Sequence, residues 1–187
     1  ANILFGRLPI DSGLRLRLAL FADSSESTNI LPGKGAGRLK AGTPITYFPG
    51  CTAQYLYPAI VEDIDSILSK YNQKLQIPDG LGCCGLAIMA SGKREDARDL
   101  ARKNIKSLEL SEGPILVSCG SCFSHLADYK GLLKDHPDWR SRAEMISERV
   151  IEISVFLESL LEEERIEVSD QQKDLRVFYH DPCHLRH

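Results

Sequence analysis

Apolar residues follow two different rhythms along this chain, and the change from one to the other marks out its elements. Short β-branched or aromatic runs recur at "ITYF" (45–48), "KLQI" (74–77), "PILVS" (114–118) and "LRVFYH" (175–180). Each reads as a buried strand, and Pro49 and Pro78 stop the first two. Between them the period lengthens. Ile60, Ile64, Ile67, Leu68 and Tyr71 recur at helical spacing in 58–71, where Pro58 suits a first turn because its missing N–H is not needed there. Ala97, Leu100, Ala101, Ile105 and Leu108 line one face of a second helix over 93–110. Further helices are expected over 123–133 and 148–164; the acidic end of the latter, "LEEER", reads as a solvated face. The order strand–helix–strand–helix–strand–helix–strand predicts an α/β fold: a mostly parallel sheet with helical crossovers.

Residues 1–43 lack either rhythm. "DSSESTNILPGKGAGRLKAGTP" concentrates Ser, Gly, Pro and Thr, and marks a lead-in or linker segment, in which 15–22 alone could form a short helix. The organised unit is expected to run over 44–174. Among 187 residues, 43% are hydrophobic and 26% charged, enough to bury a core. A net charge of −3 offers no broad attraction to nucleic acid or an anionic membrane. No apolar run reaches the ~20 residues of a membrane span, and "ANILFGRLPI" lacks the form of a secretory signal. The expected location is the cytoplasm, with any membrane association peripheral and through partners.

In a reducing compartment six cysteines are better placed for metal or redox chemistry than for a disulfide framework. Their positions are telling. Cys51 follows the first expected strand, Cys83 and Cys84 the second, Cys119 and Cys122 the third and Cys183 the fourth. In an open parallel sheet all carboxyl ends meet at one edge, so thiols far apart in sequence converge there. Cys119-Gly-Ser-Cys122 opens a helix, where free N–H groups favour thiolate. A thioredoxin-like redox pair would use these two alone and leave the other cysteines idle; a metal site uses them all. One tetrahedral zinc is an awkward match for adjacent cysteines, whose side chains diverge. A polynuclear iron–sulfur group lets them reach different metal atoms, with Gly82 and Gly85 freeing the backbone beside it. Iron–sulfur is preferred on spacing, and zinc stays open as the alternative.

Cys51, 31 intervening residues, Cys83-Cys84-Gly85, and Cys119-x-x-Cys122 after 34 residues counted from Cys84 together resemble the cysteine-rich CCG motif. "FPGC", "ARKNI" and "FYHDPCH" strengthen the likeness. The motif is characteristic of heterodisulfide reductase, and is found in iron–sulfur subunits of glycolate oxidase, lactate-utilisation proteins and anaerobic glycerol-3-phosphate dehydrogenase. The resemblance implies a noncubane [4Fe–4S] cluster on Cys51, Cys83, Cys84, Cys119 and Cys122. It also implies a second, truncated copy over 175–187, with Cys183 as its first metal ligand. The implied function is electron transfer in a multisubunit oxidoreductase, between a flavin-containing dehydrogenase subunit and a further acceptor such as quinone. The glycolate and lactate group is the nearer likeness. The runner-up is catalytic disulfide reduction at the cluster, as in heterodisulfide reductase; a zinc-binding structural module and a thiol–disulfide exchange protein follow.

Other residues are read more plainly. His125, one turn beyond Cys122, is expected to be solvated or packed on its helix, the alternative being a hydrogen bond to a cluster sulfur. His180, His184 and His187 could join Cys183 in holding a stray zinc or nickel ion. Tyr47, Tyr55, Tyr57 and Trp139 are expected in packing roles, with Tyr55 and Tyr57 as alternative walls of a substrate mouth. No catalytic residue is assigned, and Gly80, Gly82 and Gly85 do not form a dinucleotide fingerprint.

Overall fold

Ile45–Phe48 is buried at all four positions, the condition of a strand covered on both faces. The computed structural model describes residues 44–162, with Arg176 and Phe178 beyond them. Within these, β1 (Ile45–Phe48), β2 (Leu75–Gln76), β3 (Ile115–Val117) and β4 (Val150–Glu152) form one sheet in the order β2-β1-β3-β4. Every pairing is parallel, with Ile45 beside Leu75, Phe48 beside Val117 and Ile115 beside Val150. The expected α/β sheet is therefore present.

Side chains alternate across the strands and divide the core in two. Ile45, Tyr47, Leu116 and Ile151 pack against α1 (Ala59–Lys70) and α7 (Ile153–Glu162) through Ile64, Leu68, Phe156 and Leu160. Phe48, Ile115, Val117 and Val150 face the opposite layer. That layer holds α3 (Arg94–Leu108), α4 (Gly120–Ala127), α5 (Tyr129–Leu132) and α6 (Pro137–Arg149), with the short α2 (Leu86–Ala90) beside α3. The connection after β1 thus lies on one face and the connection after β3 on the other. Neighbouring strands whose connections part in this way leave a crevice at their carboxyl ends, the switch point where doubly wound sheets take ligands.

Two expectations need correction. The helix expected over 148–164 is split: its first two residues end α6, Val150–Glu152 form β4, and α7 begins at Ile153. Val150, Ile151 and Ile153 are β-branched, and residues 150–152 are wholly buried, so tertiary pairing outweighs the helical spacing downstream. The helix expected over 123–133 starts earlier, at Gly120, and breaks at Asp128 into α4 and α5. Helix α6 was not anticipated, although Pro137 in its first turn and buried Ala143, Ile146 and Ser147 are its signature. Of the strand expected over 175–180 only Arg176 and Phe178 are described, both exposed. The lead-in over 1–43, Cys183, His180, His184 and His187 lie outside the described residues. No described helix is long and apolar enough to cross a membrane.

Ile115 is fully buried at the centre of the sheet. Ile115→Ala is expected to lower unfolding stability by about 2–5 kcal/mol, read as a shift in urea midpoint at unchanged slope.

Candidate metal centre

Three loops bring the described cysteines to the carboxyl edge of the sheet. The chain leaves β1 through Pro49 and Gly50 into a single wide turn, Thr52–Leu56, closed by Tyr57 N–H donating to the Thr52 carbonyl over 2.9 Å. Cys51 caps this turn and is exposed. The loop after β2 ends in Cys83, Cys84 and Gly85, which precede α2. Cys119 is extended and caps α4; its carbonyl accepts the Phe123 N–H at 2.8 Å, which sets Cys122 in the first turn. Cys84 and Cys122 are buried, Cys83 and Cys119 half-buried, and none of the five described cysteines is in a disulfide.

The sulfurs meet. Cys122 shares thiol hydrogen bonds with Cys119 and Cys84, and Cys84 with Cys83, while Cys51 stands close enough to act on Cys83 through its charge. Contact with the Cys122 thiol, assisted by the Leu86 backbone N–H, holds the Cys84 thiol down to about 7 against the effect of burial. Cys122 is pushed far up, first by Cys119 and Cys84 and then by burial. Burial raises Cys83 as well, opposed by the Gly85 N–H, 3.5 Å from its sulfur. The arrangement is a run of neighbouring thiols. Among the described residues no three His, Cys, Asp or Glu side chains are set to hold one metal ion.

Residues 45–127 match the family model described as the cysteine-rich domain, CCG. This segment is a CCG domain. The chain is similar to lactate utilization protein A of Shouchella clausii, 30% identical over 75% of this chain and 57% of the relative. It is 28% identical to a probable glycolate oxidase iron–sulfur subunit of Bacillus subtilis over 76% of this chain and 32% of that protein. It is 27% identical to one subunit of the fumarate reductase (CoM/CoB) of Methanothermobacter marburgensis, over 96% of this chain and 34% of that protein. The chain thus spans between about a third and three fifths of the curated relatives it matches. No solved structure matches it.

What fixes the cysteine pair of the CCG domain is a clamp of two side chains. Asn104, fully buried on α3, accepts the Gly82 N–H at 2.9 Å and donates to the Cys83 carbonyl at 2.9 Å. Its second amide hydrogen goes to the Tyr129 hydroxyl at 3.0 Å, and that hydroxyl donates to the Cys84 carbonyl at 2.8 Å. Both donors of the amide and the one donor of the phenol are used, so no polar hydrogen is left over. Burial pushes the Tyr129 phenol up, which keeps it protonated as a donor. Nothing in the sequence singles out Tyr129; Asn104 lies inside the segment "ARKNI".

The glycines have definite roles. Gly50 sits at φ +61°, and a Cβ there would stand 2.8 Å from Cys122 Sγ, so the β1 loop lies flat against the β3 sulfur. Gly85 sits at φ +101°, with the place of its absent Cβ 3.5 Å from both the Ala97 carbonyl oxygen and His125 Nε2. His125 is buried, not solvated; burial lowers it to about 4, and its Nε2 has no hydrogen-bond partner among the described residues. Tyr47 is buried as expected, its hydroxyl 2.7 Å from Ser118 Oγ, and Trp139 packs on the core with Arg142 stacked 4.2 Å from its ring centroid. Tyr55 and Tyr57 are well exposed, at 73% and 63%, and with exposed Leu56 and Cys51 form an open rim rather than enclosing walls.

Asn104→Ala strands the Gly82 N–H and the Cys83 carbonyl, and is expected to lower stability by about 2–3 kcal/mol in urea unfolding. Tyr129→Phe removes the Cys84 link and the acceptor of one Asn104 amide hydrogen but keeps the Gly82 and Cys83 bonds, and its loss is expected to be smaller, about 1–2 kcal/mol. Gly50→Ala forces a left-handed alanine and drives a methyl into Cys122 Sγ. It is expected to destabilise by about 1–3 kcal/mol and to raise the rate at which a thiol reagent labels Cys122, followed by peptide mapping.

Proposed function

We propose that this CCG domain is an iron–sulfur electron-transfer module of a multisubunit oxidoreductase of the glycolate or lactate oxidase type. Cys51, Cys83, Cys84, Cys119 and Cys122 would hold a noncubane [4Fe–4S] cluster. Cys183 would be the first ligand of a second motif beginning at residue 175, after a domain bounded at 44 and 174 and a lead-in over 1–43. The partners in this reading are a flavin-containing dehydrogenase subunit, where substrate is oxidised, and a further acceptor such as quinone.

The observation that carries the reading is the contact of four thiols from the ends of β2 and β3, with Cys51 at the end of β1 within electrostatic reach, beside the β1/β3 switch point. Thiolate-rich sets select iron–sulfur clusters, zinc or cuprous ion. A body of several metal atoms suits a run of sulfurs better than one ion does, because Cys83 and Cys84 differ in burial and reach different surroundings. Five thiolates also exceed the one per iron of an ordinary cubane. The relative named as an iron–sulfur subunit points the same way.

When bound, such a cluster stores an electron at a potential set by burial and by hydrogen bonds to its sulfurs. The chain supplies the rest. Buried Cys84 and Cys122 keep water from the inner side, and Asn104 and Tyr129 hold the cysteine pair at fixed distance from α3 and α5. Exposed Cys51, Tyr55, Leu56 and Tyr57 leave the outer side open to an electron-transfer partner.

Anaerobic reconstitution of the whole chain is expected to yield iron and acid-labile sulfide in equal amounts, with visible absorbance that bleaches on reduction. Cys84→Ser and Cys122→Ser are each expected to bring bound iron near background. The purified chain alone is expected not to oxidise glycolate or lactate. Stoichiometric zinc without sulfide would overturn the reading, and reduction of a disulfide substrate by the loaded chain would favour the heterodisulfide-reductase alternative.

A further inference from the structure

His125 carries a polar atom that the fold itself does not use. It lies on α4 one turn after Cys122, is only 3% exposed, and its Nε2 has neither water access nor a hydrogen-bond partner among the described residues. A buried ring nitrogen left unpaired is unfavourable, and in a native fold it calls for a partner supplied from elsewhere. The ring is also held in place. It stands edge-on to Tyr129, with centroids 5.6 Å apart and planes at 83°, and Tyr129 is tied to the Cys84 carbonyl. The Nε2 edge rests beside Gly85, where the place of an absent Cβ is 3.5 Å away, a distance of ordinary contact.

The neighbours of that nitrogen narrow the choice of partner. Cys84 immediately precedes Gly85, and Cys122 is one helical turn back from His125, so the two buried cysteines of the site are chain neighbours of the residues at this nitrogen. Burial keeps the imidazole neutral, which leaves one N–H donor and one acceptor nitrogen. What lies beside a set of thiolates and their metal is sulfur, an acceptor. We infer that His125 Nε2–H donates a hydrogen bond to a sulfur of the iron–sulfur group held by Cys84 and Cys122, and thereby raises its reduction potential. This rests on the function proposed above. The physical reason is that reduction adds negative charge to the sulfurs, and a fixed donor stabilises the reduced form more than the oxidised one.

The test compares wild type, His125→Phe and His125→Gln as whole chains reconstituted anaerobically. Iron and sulfide content is measured first, then the midpoint potential by a titration followed with electron paramagnetic resonance. His125→Phe keeps a flat ring without the donor. It is expected to load like wild type and to shift the reduction equilibrium about tenfold toward the oxidised form, about 59 mV lower for one electron. His125→Gln retains an N–H and is expected to recover most of that shift. Wild type labelled with nitrogen-15 histidine needs no mutation. Its reduced form is expected to show a weak nitrogen coupling, and His125→Gln to lack it. Equal potentials in fully loaded variants, an absent coupling, or a strong coupling typical of direct iron ligation would each overturn the inference while leaving the proposed function standing. Failure of wild type itself to take up iron and sulfide would sink both.

Discussion

The side chain of Asn104 reaches from the middle of α3 to the backbone of the cysteine pair, and most of the site follows from that reach. Residues 77–85 form a loop between a two-residue strand and a five-residue helix, with little regular structure of its own to hold it. Asn104 takes the Gly82 N–H and supplies the Cys83 carbonyl, and through the Tyr129 hydroxyl it fixes the Cys84 carbonyl as well. A buried polar network of this kind is costly unless complete, and this one is complete. The helices that present Asn104 and Tyr129 are packed in the larger core, so the loop inherits its position from the fold.

The thiols themselves oppose being together. Buried sulfurs in mutual contact cannot all ionise, and the opposite displacements of Cys84 and Cys122 express that conflict: one is held low by accepting a hydrogen bond from its neighbour's thiol, the other is driven high. A site that gathers acidic groups and excludes water from two of them gains from positive charge placed among them. Metal bound by deprotonated thiols would supply it, with loss of the thiol protons on binding. The same crowding explains Gly50, whose bare backbone is all that fits beside Cys122 Sγ.

Sheet order decides where this gathering occurs. β1 and β3 are neighbours, yet the connection after one packs with α1 and the connection after the other begins with α4 on the opposite face. Their loops diverge and leave a crevice, so Cys51 and Cys119 sit at its two sides without any special local sequence to bring them together. The pair after β2 comes from the adjoining edge strand and completes the group from one side.

The strands 45–48, 74–77 and 114–118 and the helices of 58–71 and 93–110 were legible because their residues carry strong periods and clear stops. The cysteine positions after those strands were legible for the same reason, since a parallel sheet has only one carboxyl edge. Helix α6 and strand β4 were not. Val150–Glu152 is too short for periodicity to speak, and its pairing with β3 joins residues as far apart in sequence as Ile115 and Val150. Nor could a linear reading tell that Asn104 and Tyr129 turn inward to the cysteine pair, or that His125 is buried rather than wet. Spacing along the chain determined which sulfurs could share one rim, because strand ends and chain order are local properties. Packing of α3, α4 and α5 against the sheet decided how those sulfurs are held and which side chains surround them, because burial and hydrogen bonding depend on residues distant in sequence.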